Sequence, residues 1–435
     1  MAKALCRKKV LLVNQAFGYG GITTYAIELI KCLSLDHELT VVLPDDSVHP
    51  IAVPGVKVFK YNPMELSLKN ALSFIQLINE VLKPDIVISS YGLIIPVIAP
   101  FLNNDIRVMT VSHSGRFFAS EYSVLNHKYT DDIISLSDYN KHYLEKKYHI
   151  PLKSKIKVIY NFLSSDPALE SLRSEKKRSS IVHIIYAGGS LPGKNPDLVL
   201  RILCKLLKTN LSFRFYWTGD TQLPLPKKFK RLFSVHDVRQ YLPEDDRVVF
   251  TGKFESQDEF EKFVSSCNIL LSPSRNEGCS MLLIQALRSG SICMVGDYTH
   301  GNREIVERGD CGFSLNHHCP ELFVEKINEI INNPSDYSHL YDNAYNSYKE
   351  YLTYPVWKKA IEELMNSEPN HKQRKPFPDN NRLLYDIMRL RIMKGSDYYR
   401  RVLGFAFKSL SNFFLLHIRM KLMGDLPKMS MYNRQ

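Results

Sequence analysis

Short, nearly unbroken apolar runs recur along this chain, each followed by a stretch with helical spacing. KVLLVN (9–14), LTVVL (39–43), DIVIS (85–89), RVMTV (107–111) and DIISL (132–136) are the first five. Runs of about five residues without polar alternation mark strands covered on both faces, as inside a parallel sheet. Between them lie helical patterns such as 71–82. After the first run, Ile22, Tyr25, Ala26, Leu29, Ile30 and Leu33 recur at three and four, one face of a helix. Strand and helix in this alternation predict a doubly wound α/β domain.

The pattern then restarts. A polar stretch, SEKKRSS (174–180), reads as a linker. Beyond it, VHIIYA (182–187) is a strand, 196–207 a helix, and 213–218, 248–251, 269–272 and 292–295 are further strands. The chain therefore divides into a Rossmann-like domain over 1–173 and a second over 181–350. A helix over 351–368 is expected to pack back toward the first domain. A basic tail occupies 370–435. Two such domains imply a cleft between the carboxyl ends of their sheets, where ligands of this architecture bind.

Composition narrows the function classes. No apolar run approaches the roughly 18 residues of a spanning helix, and VLLV is too short for the core of an export signal. The eight cysteines form no CxxC pair, which fits reduced thiols in a cytoplasm. His317, His318 and Cys319 read as a loop, because adjacent residues rarely share one tetrahedral metal site. The net charge is +12, yet the last 65 residues hold 14 Lys and Arg against 4 Asp and Glu. The body is thus nearly neutral, unlike a nucleic-acid binder, and no recognisable reading module is present.

Three loops carry candidate chemistry. FGYGGITTY (17–25) places Gly18, Gly20 and Gly21 ahead of a helix whose first N–H groups suit an anion or a sugar hydroxyl. A plain tight turn explains this loop equally well. YAGGSLPGKN (186–195) sets Gly188 and Gly189 after a strand and Lys194 before a helix, which suits a diphosphate; an ordinary turn with a solvated lysine is the alternative. SPSRNEGCSMLLIQALRSG (272–290) exposes Glu277 at a strand-to-helix junction, with Gln285 eight residues on. The carboxylate can accept from sugar hydroxyls, and the amide from ribose. HGNREIVERGDCGFSL (300–315) then opens a helix at Gly301 and Asn302, again offering N–H groups.

In this order, GYGG (18–21), VSHSG (111–115), SLSDYNKHYLEKKY (135–148), VIYNF (158–162), AGGSLPGKN, PSRNEG and GNREIVERGDCGF resemble the retaining glycosyltransferases of the GT-B fold. The match covers about residues 9–365. The resemblance implies two Rossmann-like domains facing a cleft. It implies that Gly20 and Gly21 line the cleft and that His113 touches the transferred sugar. Lys194 would hold the diphosphate, Glu277 the sugar hydroxyls and Gln285 the ribose, all around one hollow. Gly188, Gly189, Gly301 and Asn302 would lie near the donor. Two departures stand out. The family's arginine in its "GR…KG" loop aligns with Gly189, and its second glutamate is Gln285. Both imply weaker donor binding or an altered donor, with Arg275 and Arg303 as candidates for the missing charge.

The implied reaction transfers a hexose or N-acetylhexosamine from a nucleoside diphosphate sugar to a saccharide acceptor, with retained anomeric configuration. No DxD-type metal site is evident, so neither metal nor cofactor is expected. In the tail, Arg401, Lys408, Asn412 and Arg419 share a helical stripe, and Val402, Leu403, Ala406, Leu410, Phe413 and Phe414 share another face. That pattern suits an anionic membrane surface met by 382–423. It would place the protein peripherally on the inner face of the plasma membrane, with a lipid-linked acceptor for polysaccharide synthesis. A helix packed on the protein itself or on a second copy is the alternative. Two other functions stay open: a catalytically silent sugar-nucleotide-binding partner of another transferase, and a same-fold epimerase.

Overall fold

The computed structural model describes residues 7–14, 20–43, 53–62, 64–114, 120, 122–148, 155–177, 180–222, 237–298, 300–375 and 378–393. The tail face read from Arg401 to Arg419 lies outside the described residues, as does the first part of the glycine loop.

In the first domain, β1 (Lys9–Val13), β2 (Glu38–Leu43), β3 (Lys57–Lys60), β4 (Ile86–Ser89), β5 (Arg107–Ser112), β6 (Asp132–Ser135) and β7 (Ile156–Val158) form one parallel sheet. Its order is β3-β2-β1-β4-β5-β6-β7. Helices α1 (Gly21–Asp36), α2 (Leu68–Gln76), α3 (Ile94–Ile98) and α4 (Asp138–Tyr148) connect the strands. The second sheet uses β8 (Val182–Ala187), β9 (Phe213–Thr218), β10 (Val248–Gly252), β11 (Ile269–Ser272), β12 (Ile292–Gly296) and β13 (Gly312–Leu315). Its order, β10-β9-β8-β11-β12-β13, repeats the first six positions of the other sheet. Chain order reverses between β1 and β4 in one sheet and between β8 and β11 in the other. Loops leaving the carboxyl ends there diverge to opposite faces and open a crevice.

β3 (KVFK), β7 (IKV) and β13 (GFSL) carry no long apolar run. They are the edge or outermost strands, partly or wholly open to solvent, so nothing forces both faces to be apolar. The 71–82 helix is observed as α2, running on through a wider-wound turn from Leu77 to Leu82.

The supposed linker is not a solvated strap at its start. Asp166 accepts from the backbone N–H groups of Ala168 and Leu169 and opens α5 (Pro167–Lys176). Lys176 ends that helix buried, and its ammonium donates to Ser289 O, Ser289 Oγ and Ser291 Oγ at 2.9, 2.9 and 2.7 Å. Three acceptors in one place allow this charge out of water. Burial nonetheless pushes its pKa down to about 7.

The remaining helices are α6 (Pro196–Leu206), α7 (Gln257–Ser266), α8 (Met281–Arg288), α9 (Gly301–Arg308), α10 (Pro320–Asn332), α11 (Ser338–Tyr351) and α12 (Tyr354–Met365). α12 crosses back onto the first domain. Lys358 pairs with Asp36 at 2.8 Å, Trp357 packs at a tilt against Phe162, and Lys8 donates to Met365 O at 2.9 Å. One apolar core runs from β1, β5 and β6 to α8 and β12 without a break, so the lobes share buried contact. A further helix, α13 (380–393), lays Leu383, Ile387 and Leu390 on the α2–α3 side of the first sheet.

The strap between α12 and α13 is anchored by a buried charge. The Arg374 side chain is fully buried. It donates to Asp131 Oδ2 at 3.0 Å and to the carbonyls of Tyr129, Asn103 and Ile106. Burial opposes ionisation of Asp131, yet His371, the Val108 N–H and Arg374 together hold its pKa below the ordinary carboxylate value. Replacing Arg374 by Met leaves that carboxylate buried without its cation. Urea unfolding is expected to show a loss of about 3–5 kcal/mol for Arg374→Met. A loss under about 1 kcal/mol would contradict the anchor.

Candidate active site

The second sheet's reversal point is built from two loops, one after β8 and one after β11. In the first, the chain turns so tightly that side chains are excluded. A Cβ on Gly188 would lie 2.6 Å from Lys194 Cγ. Gly189 sits at φ +52°, and a Cβ there would meet Asp220 O at 2.6 Å. The arginine found at this point in the family pattern has no room here without moving the 219–220 backbone. Lys194 folds back over Gly188, and its Nζ donates to Glu277 Oε1 at 2.5 Å. These two charges are 29% and 15% exposed, so both reach the crevice. Arg275 ties the loops together: its N–H donates to Gly193 O at 2.8 Å, and its guanidinium to Asp197 Oδ1 at 2.7 Å. It is the second cation at this edge. Arg303 is not, because it holds Glu307 and the Asp297 carbonyl.

Beyond Glu277 the chain presses directly on the first domain. A Cβ on Gly278 would lie 2.2 Å from the His113 carbonyl oxygen. Gly301, the first residue of α9, is packed as closely: its Cβ would lie 1.3 Å from Gly278 O and 2.8 Å from Ser137 Cβ. Gly21, opening α1, rests on the Met281 side chain that begins α8. Gly20 precedes it at φ +132°. The carboxyl edges of both sheets thus meet at Gly278.

His113 follows β5. Its Nε2 donates to Ser90 O at 2.7 Å, which leaves Nδ1 as the accepting nitrogen. Tyr25 and Tyr91 pack edge-on, with ring centroids 5.6 and 6.0 Å away. Burial pushes the imidazole pKa down to about 4, so the ring is neutral at pH 7. At the first reversal point, buried Asn14 has neither amide atom hydrogen-bonded, and the Ser90 hydroxyl has no partner either. Such orphans mark places where water or ligand hydroxyls are to be expected.

Three candidates serve elsewhere in this state. The Gly301 N–H donates to Glu277 O at 3.0 Å. Asn302 is fully buried and brackets Ser280, accepting from its N–H and donating to its Oγ, both at 3.0 Å. Ser280 in turn caps α8. Gln285 is buried and donates to Glu261 Oε1 on α7 at 3.0 Å, and Arg288 holds the other oxygen of Glu261 at 2.8 Å. The structure brings Lys194, Glu277, Arg275 and the His113 backbone together. The Gln285 amide nitrogen belongs to a separate network with α7.

Two residues escaped the sequence reading. His300 caps α9 and bonds Ser274 O at 3.0 Å. Glu304 on α9 accepts from the Asp138 and Tyr139 N–H groups at the start of α4, at 3.3 and 3.1 Å, and from the Tyr160 hydroxyl. A carboxylate against a helix N-terminus is a favourable clasp between lobes. Its signal was a glutamate three residues after Gly301, visible only as part of a helix. His317 pairs with Asp297 and stacks on Tyr298, so the His-His-Cys run serves packing.

Residues 19–166 match the family model "Glycosyltransferase Family 4", and residues 170–347 match "Glycosyl transferases group 1". The chain belongs to the GT-B glycosyltransferases. An uncharacterized glycosyltransferase of Methanocaldococcus jannaschii is 26% identical over 374 residues, covering 81% of this chain and 95% of that one. HepE of Anabaena, solved in complex with UDP and glucose, superposes with a TM-score of 0.65 at 17% identity, covering 83% of this chain and all of that one. WaaG, a glycosyltransferase involved in lipopolysaccharide biosynthesis, superposes with a TM-score of 0.60 at 13% identity, covering 82% of this chain and all of that one. This glycosyltransferase therefore shares their two-sheet architecture.

The neutral state of His113 gives a pH prediction. A histidine with a depressed folded pKa stabilises the fold fully above the unfolded value, about 6.5. That contribution is lost as pH falls from there to about 4. NMR titration of the His113 ring is expected to show a midpoint near 4. A midpoint near 6.5 would contradict the buried, neutral ring.

Proposed function

We propose that this glycosyltransferase moves a hexose or N-acetylhexosamine from a UDP-sugar to a hydroxyl of a saccharide acceptor, with retained anomeric configuration. The acceptor is lipid-linked and the product is a cell-surface polysaccharide. The observation that carries the reading is the Lys194–Glu277 pair at the β8–β11 reversal point, beside Gly278 and His113. The UDP and glucose bound by HepE support the donor class. The role of WaaG in lipopolysaccharide synthesis supports the acceptor class.

In the resting site the ammonium and carboxylate satisfy each other. A part-exposed ion pair contributes on the order of 1 kcal/mol net, so opening it costs little. A bound donor replaces both halves: phosphate oxygens take Lys194, and sugar hydroxyls take Glu277. Negative charge grows on the leaving diphosphate as the anomeric carbon gains oxocarbenium character. Lys194 meets that charge, and Arg275 adds to the field from the neighbouring loop. The leaving phosphate oxygen takes the proton of the acceptor hydroxyl, so no protein nucleophile is needed. The neutral His113 offers its Nδ1 to a sugar hydroxyl. Asn14 and Ser90 lie on the acceptor side, where their unpaired atoms suit hydroxyl groups. Gln285 holds Glu261 through its amide nitrogen, and its carbonyl oxygen serves as the acceptor for the ribose.

A silent nucleotide-sugar-binding role draws on Gly189, whose packing leaves the loop one cation short. Turnover separates the two readings. Lys194→Ala is expected to lower kcat/KM about 100- to 1,000-fold with little change in melting temperature. An unchanged kcat/KM in a folded variant removes Lys194 from the reaction. No donor cleavage or transfer by the parent chain favours the silent role.

A further inference from the structure

A second basic site lies on the first domain, away from the cleft. A cavity of about 480 Å³ lies between residues 124–129, Tyr148, Lys372 and the Arg382 and Arg389 side of α13. Residues 124–129 lead into the start of β6, and Tyr148 ends α4. The cavity therefore sits toward the amino-terminal edge of the sheet, opposite the Lys194–Glu277 crevice. Four permanent cations line it and no carboxylate does. Arg382 is held over the Tyr129 ring and donates to Asn126 Oδ1 at 3.2 Å, with Asp386 4.0 Å away. Lys128, Lys372 and Arg389 are exposed and form no ion pair among the described residues. Burial pushes the His127 imidazole pKa below its ordinary value, and its Nδ1 bonds the Val124 carbonyl. Like charges gathered around a concave surface repel one another until an anion enters.

The same helix that supplies Arg382 and Arg389 leaves an apolar stripe uncovered. Leu384, Tyr385, Met388 and Ile392 on α13 are 41%, 66%, 59% and 68% exposed. At about 100° per residue they span about a quarter of the helix circumference. Arg391 borders the stripe on one side. Arg389 and then Arg382 border it on the other, at the mouth of the cavity. The opposite face, with Leu383, Ile387 and Leu390, is packed on the domain. The chain beyond residue 393 is also basic, with 8 Lys and Arg against 2 Asp. An apolar stripe between arginines, beside a hollow where Lys128, Lys372 and Arg389 form no ion pair among the described residues, matches an interface that is greasy in depth and anionic at its surface.

We propose that this cavity binds the phosphoryl headgroup of an anionic phospholipid while the Leu384–Ile392 stripe enters the lipid surface. Lys128, Lys372 and Arg389 meet the phosphate, with Tyr129 and Tyr148 as its walls. The site holds the first domain against a membrane and leaves the cleft at the other sheet edge free. It stands apart from sugar transfer, so its test needs no turnover.

The test is co-sedimentation of the full chain with vesicles of phosphatidylcholine, with and without about 30% phosphatidylglycerol, at physiological salt. The parent is expected to bind the anionic vesicles and not the neutral ones. Each cation at such a surface strengthens attachment about fivefold. The variant Lys128→Ala/Lys372→Ala/Arg389→Ala should therefore bind about a hundredfold more weakly, with an unchanged melting temperature. Met388→Ser/Ile392→Ser should also weaken binding while keeping the charge. Millimolar inorganic phosphate should leave the parent on the vesicles. Equal binding by the triple variant, equal binding to neutral vesicles, or release by inorganic phosphate would each overturn the proposal. The last result would mark a site for free phosphate.

Discussion

His113 and Gly278 meet backbone to backbone, and this contact sets how the two sheets face each other. Any side chain at 278 would put a carbon 2.2 Å from the His113 carbonyl. Gly301 fills the third corner, with its N–H on the Glu277 carbonyl. Around that point lie the Asn161 bond to Cys279 O, the Glu304 clasp on α4, and Arg288 reaching the Ser164 carbonyl. α12 closes the back of the molecule by returning to α1. The carboxyl edges are thus pinned near a common line. That position is what lets a residue of one sheet and a residue of the other attend to a single sugar.

Chemistry at the edge follows from what the glycines exclude. With no side chain at 188 or 189, Lys194 lies down on its own loop and reaches Glu277. With none at 278, Glu277 is carried to the first domain. The pair is an open, replaceable neutralisation rather than a buried anchor. Arg374 and Asp131 show the contrast, because both are sealed from water and hold the strap in place. One ion pair is placed to yield to a substrate, and the other is placed never to open.

Much of this was legible in the residues. Strands buried on both faces, such as LTVVL and VHIIYA, must be apolar throughout, so their runs announce themselves. KVFK, IKV and GFSL could not, since an edge strand tolerates lysine and glycine. Lys194 is legible because it follows a strand and a glycine turn, and Glu277 because it follows a strand and precedes a glycine. The resemblance gives Gln285 the ribose, but nothing in its local sequence reveals Glu261, which sits 24 residues earlier on another helix. Lys176 looked solvated within SEKKRSS, because Ser289 and Ser291 come from a distant turn. The role of Glu304 depends on α4, which no local pattern connects to it.

The claim that the Lys194–Glu277 pair is the donor site can be tested by isothermal titration. Glu277→Gln replaces the charged acceptor for sugar hydroxyls with a weaker, neutral amide oxygen and removes the negative charge that pairs with Lys194. The nucleoside diphosphate sugar that most raises the melting temperature should then bind at least about tenfold more weakly. The matching nucleoside diphosphate, which has no sugar to lose, should bind as well as before or more tightly. Equal affinity of parent and variant for both ligands would contradict the account.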